Sequence, residues 1–208
     1  MSEILVLSEE AMTKGKIRVR LDTGLTCILY RSEQRQINAY EGSSLTREQY
    51  EILVHEILGK RATKRAMHLL EKMDRTEYKL REKLSEGGYP DEAIEDAIGY
   101  VKRYHYLDDE RYARNYVFLA QDRKSRKKLS IELYQRGIKK ELIDRILEEE
   151  YEADEEKQIC QLLEKRGYDP KTCSEKERQK LYQFLLRRGF QSSDICKVMR
   201  MISLDSDM

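Results

Sequence analysis

The chain has 208 residues, with 40 Lys and Arg against 39 Asp and Glu, so its net charge is +1 at pH 7. A strong whole-molecule attraction to polyanions is excluded, and any charged surface must be local. Charged residues make up 38% of the sequence, against roughly 25% in an average globular protein, but the apolar 39% recurs with regular periods, which excludes disorder throughout.

With 2 Pro, 10 Gly and abundant Leu, Glu, Lys and Arg, the composition favours helix. No apolar run approaches the length of a membrane-spanning helix. The first residues lack the basic start and long apolar stretch of a signal peptide, so a cytoplasmic protein is expected. Cys27, Cys160, Cys173 and Cys196 are scattered without a C-x-x-C pair, which fits reduced structural thiols in a cytosolic chain.

The first 60 residues differ from the rest. Lys16 to Leu21 alternates charged and apolar residues, as a half-buried strand does. Asp22-Thr23-Gly24 supplies a turn, Leu25 to Tyr30 a second strand, and Ile4 to Leu7 a third. Thr46-Arg47-Glu48-Gln49 has the form of a capping box and opens a helix through Tyr50, Leu53, Val54 and Ile57 that is expected to stop at Gly59.

From residue 61 onward the signals are helical and they repeat. Gly88, Gly137 and Gly189 each close a helix, with a period of roughly fifty residues. Leu84, Leu133 and Leu185 lie four residues upstream, and Leu80, Leu129 and Leu181 eight upstream. Tyr89, Ile138 and Phe190 follow the glycines directly, and Ile94, Ile143 and Ile195 lie six downstream. Ala97, Ile146 and Val198, then Ile98, Leu147 and Met199, complete the register. These offsets describe one face of each of two helices meeting at a turn. The glycine suits a helix that ends abruptly, because the residue just past its end takes up a left-handed conformation. Pro90 suits the first turn of the helix that follows.

A further helix leads each repeat. In the first it carries Ala66, Met67, Leu69, Leu70 and Met73, with Asp74 and Thr76 as caps for its successor. In the second, Asp108 is placed as an N-cap, Asp109 and Glu110 favour the positive end of the helix dipole, and Leu107 with Tyr112 occupy hydrophobic-staple positions. In the third, Ile159, Leu162 and Leu163 precede a stop at Gly167, and Ser174 to Glu177 forms a second capping box. The expected architecture is mainly α: three tandem three-helix repeats, at 61–107, 108–152 and 153–208, forming an elongated curved array after a β-hairpin and helix module at 1–60.

No catalytic constellation is legible. His55, His68 and His105 have no partners at metal-ligand spacing, and phosphate-loop, dinucleotide and nucleophile-elbow motifs are absent. Neither catalytic residues, nor a cofactor, nor a metal is expected. Asp108-Asp109-Glu110 is better explained by helix capping than by metal binding, and the acidic run from Glu148 to Glu156 by a solvated helix end. The basic run is more telling. Arg123, Lys124, Arg126, Lys127 and Lys128 stand at the entrance to the middle helix of repeat two, where free N–H groups also attract anions. Arg114, Arg136, Lys139 and Lys140 extend this candidate surface for nucleic acid or an acidic partner. Of the 14 tyrosines, Tyr89, Tyr112 and Tyr116 fall at core positions; stacking on bases remains open to others.

Tyr106-Leu107-Asp108-Asp109-Glu110-Arg111-Tyr112-Ala113 resembles a signature of the RecX regulatory proteins, as does Ile131-Glu132-Leu133-Tyr134-Gln135-Arg136-Gly137-Ile138. Glu77, Leu80, Leu84 and the three-fold organisation match as well, over about residues 61 to 202. Ser125 stands where the family usually has glycine, and Tyr112 where Phe is common. The resemblance implies a non-enzymatic protein that binds the RecA recombinase filament on single-stranded DNA; a monomer is expected. It implies bridging of filament subunits and restraint of ATP hydrolysis, strand exchange and coprotease activity, in recombination, repair and the SOS response. A nucleic-acid-binding helical module acting without RecA is the alternative.

Overall fold

The computed structural model describes residues 3–205. The chain divides between Asp108 and Asp109 into two compact units. In the first, strands β1 (Ile4–Ala11), β2 (Lys16–Leu21), β3 (Thr26–Tyr30) and β4 (Ser44–Leu45) form an antiparallel sheet in the order β3-β2-β1-β4. The alternation in β2 is realised: Ile17, Val19 and Leu21 are buried while Arg18 and Arg20 are exposed, and Ile17 pairs with Leu29 and Val19 with Cys27. The strand anticipated at Ile4 to Leu7 is longer and carries a register shift between Val6 and Ser8. Helix α1 (Arg31–Ile37), ending in a left-handed Asn38 with φ of 57°, was not legible in the sequence.

Thr46 opens α2 (Arg47–Glu51) with the expected reciprocal cap to Gln49. The expected stop at Gly59 is absent. A π-helical segment, Ile52–Gly59, runs on into α3 (Lys60–Lys72) without a break. Gly59 has helical angles and serves close packing: a Cβ there would lie 2.8 Å from Asp96 Oδ2 and 3.3 Å from the Val54 carbonyl. The boundary placed at residue 60 therefore falls inside a helix. One hydrophobic cluster joins Val19, Leu29, Leu53 and Ile57 to Ala66, Leu84, Ala97 and Val101. The strand module and the first repeat share one core.

The first repeat comprises α3, α4 (Glu77–Ser85) and α5 (Asp91–Arg103). Thr76 caps α4 by accepting from the Lys79 amide. Met73 ends α3 in an extended, exposed conformation rather than packing with it. Pro90 is the N-cap of α5, one position before the first turn. Burial pushes the Cys27 thiol up to about 11, which makes it a poor nucleophile at neutral pH.

The sequence offered His55 no partner, yet it bridges two carboxylates. Its Nδ1 lies 2.6 Å from Asp96 Oδ2 on α5 and its Nε2 3.2 Å from Glu51 on α2. The hydrogen bond to Asp96 is the main cause of a raised imidazole pKa; slight burial opposes it, and the Asp96 and Glu51 charges add to it. A raised pKa gives stability that is complete below the unfolded value of 6.5 and fades as pH climbs through the higher folded value. The stability gap between the protein and His55→Asn, measured by urea titration, should therefore narrow as pH rises from about 6 to about 8.5. A gap constant with pH would contradict the bridge.

The second unit holds repeat two, α6 (Asp109–Ala120), α7 (Arg126–Gln135) and α8 (Lys140–Glu150), and repeat three, α9 (Glu155–Glu164), α10 (Glu175–Arg187) and α11 (Ser192–Asp205). Each repeat has its own cluster, one around Val117, Leu133 and Ile146, the other around Ile159, Leu185 and Ile195. Gly88, Gly137 and Gly189 have φ of 79°, 83° and 87°, the left-handed conformation the register required. Tyr89 and Ile138 donate their amides to the carbonyls of Leu84 and Leu133, five residues back, as a Schellman turn does. The same leucines are fully buried, so one residue both closes the turn and fills the core. Tyr89 and Leu181 are half-buried, and the other register positions are buried.

Candidate functional site

The basic run does not form one free cationic face. Lys124 Nζ lies 2.6 Å from Glu132 and 2.8 Å from the Tyr116 hydroxyl, which itself donates to Glu132. Partial burial opposes the charge on Lys124, and the Glu132 and Tyr116 hydrogen bonds outweigh it, so its pKa is raised. Glu132 mirrors this: burial pushes its pKa up, and bonds from Lys124 and Tyr116 bring it below the usual carboxylate range. Lys128 reaches the same carboxylate at 3.8 Å, one helical turn away. Arg126 turns toward α8 and donates to the Leu147 carbonyl at 2.8 Å, while its amide donates to Glu155.

The extensions behave similarly. Arg114 is tied to Glu110 and Glu149, at 2.9 and 2.6 Å, and to Glu150. Glu110 is held below the ordinary carboxylate range by its bond to Arg114. Arg136 stacks 4.3 Å from the Tyr116 ring and donates to the Glu132 carbonyl. Tyr116 in turn stacks parallel to Tyr112 at 6.4 Å. Glu132 and the acidic end of α8 thus absorb the charge of Lys124, Lys128 and Arg114. Lys127, Lys139 and Lys140 are exposed and without a carboxylate partner among the described residues; Lys139 is the N-cap residue of α8.

Ser125 caps α7 by accepting from the Lys128 amide at 3.2 Å. Its own amide donates to the Arg188 carbonyl at 3.1 Å, which seats the glycine turn of repeat three on the entrance to α7. This contact carries Arg123, in the turn Gln121–Arg123, toward arginines that sequence reasoning missed. Arg166 and Arg188 stack on Phe184, at 4.3 and 3.8 Å from the ring centre, and Arg187 is adjacent. Burial, followed by repulsion from Arg166, Arg187 and Arg123, lowers the Arg188 pKa. Only Arg187-Arg188 is a visible pair in the sequence; the rest of the grouping comes from tertiary structure.

Among the described residues no group of three or more His, Cys, Asp or Glu could hold a metal ion. Among the described residues no helix is long and apolar enough to cross a membrane. Asp108 immediately precedes α6, and Asp109 and Glu110 fill its first turn. Leu107 belongs to the core of the first unit, and Tyr112 packs against the cluster of repeat two.

Three family models match in order along the chain: the first three-helix domain of RecX over residues 62–100, the second over 108–147 and the third over 154–199. A regulatory protein RecX from Caldanaerobacter subterraneus subsp. tengcongensis is 36% identical over 163 residues, covering 77% of this chain and 80% of the relative. A regulatory protein RecX from Clostridium botulinum is 28% identical over 193 residues, 91% of each chain. A crystal structure of regulatory protein RecX aligns with a TM-score of 0.57 at 25% identity, over 96% of this chain and 98% of the other. The fold is also that of RecX from Lactobacillus salivarius, with a TM-score of 0.54 at 19% identity over 71% and 97% of the chains. With its three glycine-closed helical units matched in sequence order, the chain belongs to the RecX family of regulatory proteins.

Proposed function

We propose that this protein binds the RecA filament on single-stranded DNA in the cytoplasm and restrains its ATP hydrolysis, strand exchange and coprotease activity. The observation that carries the reading is the ordered succession of three RecX domains, each a three-helix unit. Three small units on one chain offer several modest contact patches. Linked patches gain from effective concentration, so a filament with repeating sites can be held without one dominant interface. Lys127, Lys139 and Lys140, which are exposed and without a carboxylate partner among the described residues, are candidates for such patches.

The test is steady-state ATP hydrolysis by RecA on single-stranded DNA during titration with the purified protein. A progressive fall in rate is expected. An unchanged rate at molar excess over RecA would overturn the reading. Direct nucleic-acid binding without RecA is the second reading, favoured by the arginines around Phe184.

A further inference from the structure

We propose that Arg123, Arg166, Arg187 and Arg188 form a phosphate-binding cluster that takes the phosphodiester backbone of a nucleic-acid strand directly. The inference rests on these arginines and stands apart from the RecA reading. None of the four has a carboxylate partner among the described residues, although the chain carries 39 acids. They come from three places: the turn before α7, the residues just past α9 and the end of α10. Cations at helix C-termini complement the helix dipole, which accounts for Arg166 or Arg187 taken singly. It does not account for their convergence with Arg123, which precedes a helix.

The Phe184 ring holds two of the guanidinium groups before any ligand arrives, so less ordering is needed on binding. The like charges lower the pKa of Arg188 in the free protein, after burial. An anion would relieve that repulsion. The adjoining groove, a cavity of about 730 Å³, is lined by Lys127, Lys128 and Arg187 and by no carboxylate. A second groove nearby, of about 800 Å³, also touches Arg126 and Lys127 but is faced by Asp144, Asp154, Glu155, Glu156 and Asp194. The first groove admits a polyanion and the second repels one.

A phosphodiester chain fits better than an acidic protein. Guanidinium forks match phosphate oxygens in paired hydrogen bonds, and successive phosphates present charge at regular spacing. A protein partner would be expected to find an apolar anchor at the centre. Here the central aromatic, Phe184, is buried beneath the guanidinium groups.

The experiment is fluorescence anisotropy of a labelled 30-nucleotide oligothymidylate with the full chain, without RecA, across a series of salt concentrations. Each phosphate contact contributes about 0.7 to the log–log salt slope on single strands. Arg123→Gln with Arg187→Gln, both exposed and off the Phe184 ring, should flatten the slope by about 1.4, and adding Arg166→Gln and Arg188→Gln by about as much again. Arg145→Gln, a cation already paired with Glu110, should leave it unchanged. A labelled duplex is the parallel arm. Binding of either form supports the cluster, and the tighter form names the strand it takes. Absence of binding, an unaltered slope in the Arg123/Arg187 variant, or displacement by polyglutamate as readily as by oligonucleotide would overturn the proposal. Each of those failures leaves the RecA titration untouched.

Discussion

Gly189→Ala is expected to destabilise the second unit by about 3 kcal/mol, well beyond the effect of the equivalent change at Gly88. Two penalties act together. With φ of 87° the residue is left-handed, where a side chain costs roughly 1–2 kcal/mol. A Cβ would also lie 2.5 Å from Ser125 Oγ, 2.6 Å from Lys128 Cβ and 3.1 Å from the Lys128 amide nitrogen. Relieving that overlap means shifting the α7 entrance, and overpacking of this kind typically costs about 1–3 kcal/mol. Gly88 shares the conformation at 79° but has nothing within 4 Å of the added carbon, so Gly88→Ala should cost only about 1–2 kcal/mol. Urea midpoints of the two variants measure the difference. Equal losses would mean that the turn of repeat three does not sit on α7 as described.

Leu133→Ala should cost about 3 kcal/mol, within the usual range for a buried leucine. Leu133 is fully buried in a small cluster with Val117, Leu129, Ile138, Ile143 and Ile146. A small cluster has few neighbours that can move in to fill the space. The backbone role of Leu133, accepting from the Ile138 amide at 3.2 Å, survives truncation, so the loss reports packing alone. Ile131 on the same helix is 43% exposed, and Ile131→Ala should change stability by less than about 0.5 kcal/mol. Similar losses at the two positions would remove Leu133 from the core, and with it the register that relates the repeats.

The local grammar of the fold was legible. Glycine closure, the Thr46 and Ser174 caps, and the apolar offsets around each turn depend on neighbours within a few residues, so the sequence displays them directly. The stop read at Gly59 failed because the glycine answers to Asp96, far along the chain. His55 was missed for the same reason. Helix α1 was invisible because its residues, Arg31 to Ile37, are largely polar and make little more than two turns.

The site was less legible than the fold. A run of cations marks charge but not its partners. Lys128 approaches Glu132 and Arg114 meets Glu110 at the i,i+4 spacing of a helix, but Glu132 also neutralises Lys124, and Glu149 and Glu150 neutralise Arg114, across separations that no periodicity encodes. Arg166 and Arg188 gather through a shared aromatic ring, and Arg123 comes near through the seat of one repeat on another. Those are tertiary facts. They move the strongest unpaired charge from the basic run toward its junction with repeat three.

The central claim is that several modest surfaces on one chain engage a RecA filament together. Cross-linking mass spectrometry of the protein on RecA assembled over single-stranded DNA measures this directly. The account predicts cross-links from at least two of the three helical repeats, reaching more than one RecA subunit. Cross-links confined to a single repeat, or none above those seen with RecA lacking DNA, would contradict it.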